Sequence, residues 1–218
     1  PIQNIGAYGV ELSDTLDSVQ ALDLQDGRLR EFGQGECRLS YRDSRFKSAD
    51  DGRYLITRIR LRLQRQFTAS LSYPGLGEEL HAMGVDTPTA RLVSEAVIRI
   101  RRRKLPDPAV VGNAGSFFKI PVVAQATADC LKNEFCDVPV YPAADGQAKL
   151  SAAWLIESCG WKGRRFGQAA VSEQHALVLV NPGQATGREI LDLANAIRDS
   201  VKSRFDIELQ PEPRIIGV

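Results

Sequence analysis

Along residues 55–63 apolar and polar positions alternate: Leu55, Thr57, Ile59, Leu61 and Leu63 fall on one face, and Ile56, Arg58, Arg60 and Arg62 on the other. Period two with arginines outward predicts a half-exposed antiparallel strand with the leucine face inward. Upstream, the apolar runs 16–24 and 28–32 flank Asp26-Gly27, a hairpin signal. Residues 67–86 read as a loop with Tyr73-Pro74-Gly75 at a turn. The period then changes. Ala90, Val93, Val97 and Ile100 recur at helical spacing, Thr87 is placed to cap that helix, Pro88 suits its first turn, and Pro106 and Pro108 end it at Leu105. Further helices are predicted over 124–133 and 150–159. Strands are predicted over 117–123, 163–171, 175–181 and 205–209. The last helix is marked by Thr186 and Glu189 as a capping box, with Ile190, Leu193, Ile197 and Val201 on one face. The pattern predicts an α+β chain, β-rich up to about Lys104 and helix-rich beyond it.

Composition narrows the function classes. A chain of 218 residues can bury a real core, and a formal net charge of +1 gives no global field toward nucleic acid or anionic lipid. No apolar run approaches the roughly 20 residues of a membrane span, so neither nucleic acid nor membrane is expected as a partner. The four cysteines (Cys37, Cys130, Cys136, Cys159) lack metal-ligand spacing, and the two histidines lie far apart, so no metal site is expected. Buried, reduced thiols in a cytoplasmic protein are the simplest reading. The chain opens on Pro1 and reads from there like the middle of something longer.

Three stretches carry candidate chemistry. In residues 111–123, V-G-N-A-G-S-F-F-K-I-P-V-V, Ser116 follows a glycine-rich turn and precedes Phe117 and Phe118. Glycines allow a backbone to approach a ligand closely, and a hydroxyl there can sit dry against a reacting atom. The same stretch also reads as a turn entering a buried strand. In E-C-R-L-S-Y-R-D-S-R-F-K (36–47), Arg42 stands between Tyr41 and Asp43, its fork either buffered by Asp43 or aimed at an anion. Glu212 stands between Pro211 and Pro213, in a rigid segment that can hold a carboxylate in one orientation. Arg99 and residues 101–104 form a basic cluster that complements the dipole of the preceding helix. Lys104, beside the loop leading to Ser116, is placed to meet a phosphate.

Together, P-I-Q-N-I-G-A-Y-G-V-E-L (1–12), the 36–47 stretch, R-R-K-L-P-D-P-A-V-V-G-N-A-G-S-F-F-K (102–119), K-L-S-A-A-W-L-I-E-S-C-G-W-K-G (149–163) and P-E-P-R-I-I-G (211–217) resemble the UDP-N-acetylenolpyruvoylglucosamine reductase family, end to end and in order. The resemblance implies a β-rich part of an FAD-binding lobe (1–104), an α+β substrate-binding domain (105–205) and a return segment (206–218) bearing a catalytic carboxylate. It implies NADPH and FAD as cofactors and UDP-N-acetylglucosamine enolpyruvate as substrate, reduced to UDP-N-acetylmuramate for peptidoglycan. Ser116 aligns with the family's proton donor, Arg42 with its active-site arginine and Glu212 with its glutamate. Substrate contacts fall on Tyr73, Lys104, Tyr141, Lys162 and Arg214, the tyrosine lying on a loop of the form that folds over substrate. Gln3, Asn4, Ile5, Gly6, Ala7, Tyr8 and Gly9 match backbone that lies along the flavin.

Two departures stand out. Ile120 replaces an asparagine that often touches substrate after F-F-K, and the family's N-terminal part of the FAD site precedes the region matched. These residues alone are therefore expected to bind flavin weakly, and exposed strand edges invite self-association, whereas the intact enzyme is expected to be monomeric. A binding-only module for a UDP-sugar or a protein is the competing reading. Substrate binding without NADPH turnover would separate the two.

Overall fold

The computed structural model describes residues 1–217. Its contacts divide the chain into a unit spanning Pro1–Ile100 and a second from Arg101 onward. Both mix helix and strand, and the chain is α+β.

In the first unit a two-stranded ribbon, β1 (Gly6–Ala7) and β2 (Val10–Glu11), precedes a three-stranded antiparallel sheet. In that sheet β3 (Leu16–Asp23) lies between β4 (Leu29–Gly33) and β5 (Tyr54–Leu61). The β3–β4 hairpin turns at Asp26-Gly27, where Gly27 takes the left-handed φ of 69° that the turn requires. Leu16, Val19, Ala21 and Phe32 form its core with Cys37. Phe32, Phe46 and Tyr54 close one side edge to face, with centroids 5.1–5.8 Å apart.

β5 departs from the strict alternation. Gln20 pairs with Arg58 but Ala21 with Ile56, so Thr57 is an extra residue in a bulge. The bulge breaks the alternation: Tyr54, Ile56 and Ile59 pack on the core, while Leu55 and Leu61 are 56% and 43% exposed, and Leu63 beyond the strand is 72% exposed. The expected inward face is therefore split: Ile59 packs inward, while Leu55, Leu61 and Leu63 lie outward.

The expected loop 67–86 contains a helix, α1 (Leu76–Ala82), which buries Leu76 and Leu80 against Ala96 and Ile100 of α2 (Ala90–Lys104). α2 begins later than the Thr87 cap predicts. The Thr89 hydroxyl accepts the Leu92 N–H and its carbonyl accepts the Val93 N–H, so Thr89 does the capping and Ala90 is exposed.

In the second unit the glycine-rich stretch is itself a strand, β6 (Gly112–Ser116), rather than a turn before one, and the expected strand 117–123 survives only as β7 (Val122–Ala124). After α3 (Gln125–Glu134) come β8 (Val140–Pro142) and β9 (Gln147–Leu150), which form a small sheet in the order β7-β9-β8. α4 (Ala152–Ser158) is capped by Ser151. The predicted strand 163–171 is a tight hairpin, β10 (Arg165–Phe166) and β11 (Ala169–Val171), folding at Gly167. β12 (Val178–Asn181) completes the antiparallel sheet β10-β11-β12-β6.

α5 (Gly187–Phe205) starts at the capping box read from Thr186 and Glu189, with both reciprocal bonds made. It buries Leu193, Ile197, Val201 and Phe205 in the main core, where each fully buried Leu or Ile contributes roughly 1.5–3 kcal/mol. Residues 205–209 are not a strand. Phe205 closes α5, Asp206 turns the chain in the left-handed region, and Ile207 and Leu209 plug the core. Of the four free cysteines only Cys37 is buried; Cys130 and Cys136 are exposed and Cys159 is half-buried, so the reading of uniformly buried thiols is corrected.

One buried carboxylate ties the first sheet together. Asp23, at the end of β3, accepts from Arg53 Nη2 at 2.8 Å, Arg30 Nε at 3.3 Å and the Gln25 N–H at 3.1 Å. The Arg53 bond above all holds its carboxyl down at about 2, from an ordinary 3.8. A depressed carboxylate contributes stability above its unfolded value and loses it as pH falls through its folded one. Asp23→Asn is therefore expected to lower the melting temperature at neutral pH and to flatten the acid limb of wild-type stability between about pH 4 and pH 2. Parallel acid limbs in wild type and variant would show that Asp23 carries no such linkage.

Candidate functional site

The first unit holds one group of the predicted residues. Asn4 is buried and in the left-handed region. Its amide donates to Glu11 Oε2 at 2.9 Å and to the Ser40 carbonyl at 3.0 Å, and its oxygen accepts the Ser13 N–H at 3.0 Å. The Arg42 fork donates to the carbonyls of Gly6 (Nη2, 2.7 Å) and Asn4 (Nη1, 3.3 Å) while its central carbon lies over the Tyr41 ring, 5.2 Å from the centroid. Lys47 Nζ donates to Gln3 Oε1 at 2.8 Å. These bonds clamp residues 3–6 from the segment that carries Arg42. Arginine suits the task because a planar fork spans two carbonyls, which a single ammonium cannot.

The ribbon turns at Tyr8-Gly9, with φ 55° and 82°. Two positive φ values in a row make the turn that matches strand twist. A side chain at Gly9 would come within 2.7 Å of Ser72 Oγ. Tyr8 packs on Tyr73 with centroids 4.6 Å apart, so a predicted flavin-side residue and a predicted substrate-side residue touch. Ile5, Ala7 and Gly9 face outward. With only a methyl at Ala7 and no side chain at Gly9, the exposed main chain there is open to close approach by a ligand.

The second unit holds the other group. Ser116 ends β6, exposed, paired in register with Val178 of β12. The next residue, Phe117, is buried, donates its N–H to the Leu177 carbonyl at 2.8 Å and accepts the Glu212 N–H at 2.8 Å. Phe118 bridges to Pro211, and the Lys119 N–H donates to the Gln210 carbonyl at 2.9 Å. Glu212 is half-buried on this neighbouring segment, one peptide away from Ser116. The prolines that bar Glu212 from an interior strand leave it free to run alongside one. The Phe117 peptide thus ties the segment that carries Glu212 to the end of the strand that carries Ser116.

Lys162 forms an ion pair with Glu157 at 3.0 Å. An exposed pair of this kind contributes at most about 1 kcal/mol. Lys104 and Lys162 both lie near enough to His175 to disfavour its protonation. Tyr141, 50% exposed, is on β8 of the small sheet, in register with Lys149 of β9. Arg214 is exposed beyond Glu212, and Ile120 is 36% exposed. His175 is the neighbour that sequence reading passes over. Its signal is faint: one of two histidines, in the turn before the strand that pairs with Ser116. Among the described residues no group of His, Cys, Asp and Glu is arranged to hold a metal, and no helix is long and apolar enough to cross a membrane.

The chain is an α+β protein in which the end of β6, the turn before β12 and the segment 210–212 are joined through the Phe117 peptide. The model of the UDP-N-acetylenolpyruvoylglucosamine reductase C-terminal domain matches residues 107–216, and the chain belongs to the UDP-N-acetylenolpyruvoylglucosamine reductase family. It is 54% identical to the reductase of that name from Pseudomonas aeruginosa over 99% of this chain and 63% of that protein. The Xanthomonas euvesicatoria protein is 51% identical over 100% of this chain and 62% of its own length. The crystal structure of UDP-N-acetylenolpyruvylglucosamine reductase from Thermus caldophilus shares the fold, with a TM-score of 0.57 at 24% identity, covering 95% of this chain and 56% of that one. The chain therefore spans a little over three-fifths of the curated relatives it matches.

Arg42→Lys is expected to release one of the two clamped carbonyls and loosen the β1–β2 ribbon. Hydrogen bonds to a charged donor contribute about 1.5–3 kcal/mol, so amide protection at residues 6–11 should fall at least about tenfold, read by hydrogen exchange. Unchanged protection would mean the ribbon does not depend on the fork.

Proposed function

We propose that this chain supplies the proton-donating and substrate-holding part of a reductase acting on UDP-N-acetylglucosamine enolpyruvate, yielding UDP-N-acetylmuramate for peptidoglycan synthesis. The carrying observation is the pairing of the Glu212 N–H with the Phe117 carbonyl, which fixes a carboxylate-bearing segment beside Ser116. Family membership supports the choice of reaction.

In this reading residues 3–9 would lie along FAD, which when bound and reduced by NADPH would supply the hydride for the enolpyruvyl double bond. The carbon beside the substrate carboxylate then needs a proton, and Ser116 Oγ donates it. A serine hydroxyl is a very weak acid, so it serves only if its position is fixed and the developing charge is stabilised. The backbone bonds on both sides of Phe117 support the first condition, by holding the main chain next to Ser116. Arg42, always charged, is assigned to the substrate carboxylate. Glu212 is assigned a hydrogen-bonding part. Lys104, Lys162 and Arg214, with Tyr73 and Tyr141, are assigned to the nucleotide diphosphate, the cations meeting phosphate charge.

In the whole enzyme, Ser116→Ala is expected to slow enolpyruvyl reduction by about 10²–10⁴, the usual worth of a positioned proton donor. NADPH oxidation by bound FAD, measured alone by stopped flow, should be nearly unchanged. Equal loss in both half-reactions would remove the proton-donor role.

A further inference from the structure

The turn between β11 and β12 is closed by side chains as well as backbone. The Ser172 N–H donates to the Val178 carbonyl at 2.8 Å, the Ser172 hydroxyl accepts the Gln174 N–H at 3.1 Å, and the Val178 N–H donates to the His175 carbonyl at 3.0 Å. The Leu177 N–H donates to His175 Nδ1 at 3.2 Å. Leu177 is therefore held at both ends of its backbone: the imidazole takes its N–H, and its carbonyl takes the Phe117 N–H at 2.8 Å, next to Ser116. An imidazole nitrogen that accepts an N–H carries no proton itself, so the proton of neutral His175 sits on Nε2. A second proton on Nδ1 would set two donors face to face.

The charges facing His175 come from three places. Lys104 at the end of α2 and Lys162 after α4 repel a proton, and Glu157 of α4 attracts one. Burial, then the two lysines, outweigh Glu157 and hold the imidazole below its ordinary value. We propose that His175 is a positioning residue for Ser116: its neutral imidazole, by accepting the Leu177 N–H, holds the strand edge against which Ser116 is registered. Ser116's meaning as a proton donor rests on the function proposed above, but the positioning does not. Acidification should undo it. With the folded value depressed, the unfolded chain takes the proton first, so this contribution is complete above about pH 6.5 and is lost as pH falls toward the lower folded value.

The test needs only this chain. Long-range proton–nitrogen NMR on histidine-labelled protein, with His81→Gln removing the other histidine signal, reads the tautomer and titration of His175. The expected result is the Nε2–H tautomer at neutral pH and titration below an unperturbed histidine. Protection factors at Leu177 and Phe117, corrected for intrinsic exchange, should fall on acidification. His175→Asn, whose Oδ1 can accept the same N–H, should keep the protection and lose its pH dependence. His175→Leu should lower protection by about tenfold at any pH, the scale of one hydrogen bond. The Nδ1–H tautomer, or the same pH dependence in wild type and His175→Asn, would overturn the proposal, as would full protection in His175→Leu. None of these readouts changes if Ser116 proves not to be a proton donor, so the two readings fail separately.

Discussion

The second unit turns on one peptide. Phe117 has its N–H bound to Leu177 and its carbonyl bound to Glu212, so two segments distant in sequence are tied to the same residue. Its ring and that of Phe118, 5.2 Å apart, are buried and pin the peptide from below. A backbone bond to a buried neighbour cannot shift without leaving a buried polar group unpaired, which costs about 1–3 kcal/mol. The exposed Ser116 therefore inherits rigidity from a neighbour that is buried.

The first unit solves a similar problem with polar side chains. Residues 3–9 are too short and too irregular to be fixed by a sheet, and two of them, Asn4 and Tyr8, sit at positive φ without being glycine. Such conformations persist only where the surroundings over-determine them. Asn4 does this by using both ends of its amide, and Arg42 by binding the carbonyls on either side of Ile5. Arg42 is itself at φ 53°. A side chain that clamps a neighbouring loop is thus launched from strained backbone of its own.

Sequence reading succeeded where a signal is local. The Asp26-Gly27 turn and the Thr186–Glu189 capping box depend on residues within four positions of one another, and both form as read. It failed where a partner strand decides. Nothing in the 55–63 alternation reveals that Gln20 and Ala21 will meet Arg58 and Ile56 and expel Thr57 into a bulge. The glycine-rich stretch before Ser116 looked like a turn because glycine is weak in strands, yet pairing with β12 makes it one. Within Ile207–Leu209 alternation mimicked a strand, but Ile207 and Leu209 serve as plugs behind α5. Ser116, Arg42 and Glu212 stood out by their sequence setting, and the roles proposed for them came from resemblance. What resemblance left out is how they are held: the Asn4–Arg42 clamp, the Phe117 peptide and His175.

That division has a physical origin. A group that does chemistry is recognised by its type and its neighbours in sequence, because reactivity is a property of the side chain. A group that positions is recognised only by what it bonds, and those partners are far away: Arg42 reaches back 36 residues to Gly6, and the Phe117 carbonyl reaches forward to Glu212. His175 belongs to the second kind. Read as a titratable side chain it invites a role in proton transfer, but its Nδ1 is committed to the Leu177 N–H, and the nearby lysines favour its neutral form. An imidazole so committed is an acceptor with a fixed direction. Its value to the site is that direction, which an arginine or lysine in the same turn could not supply because neither can accept a hydrogen bond.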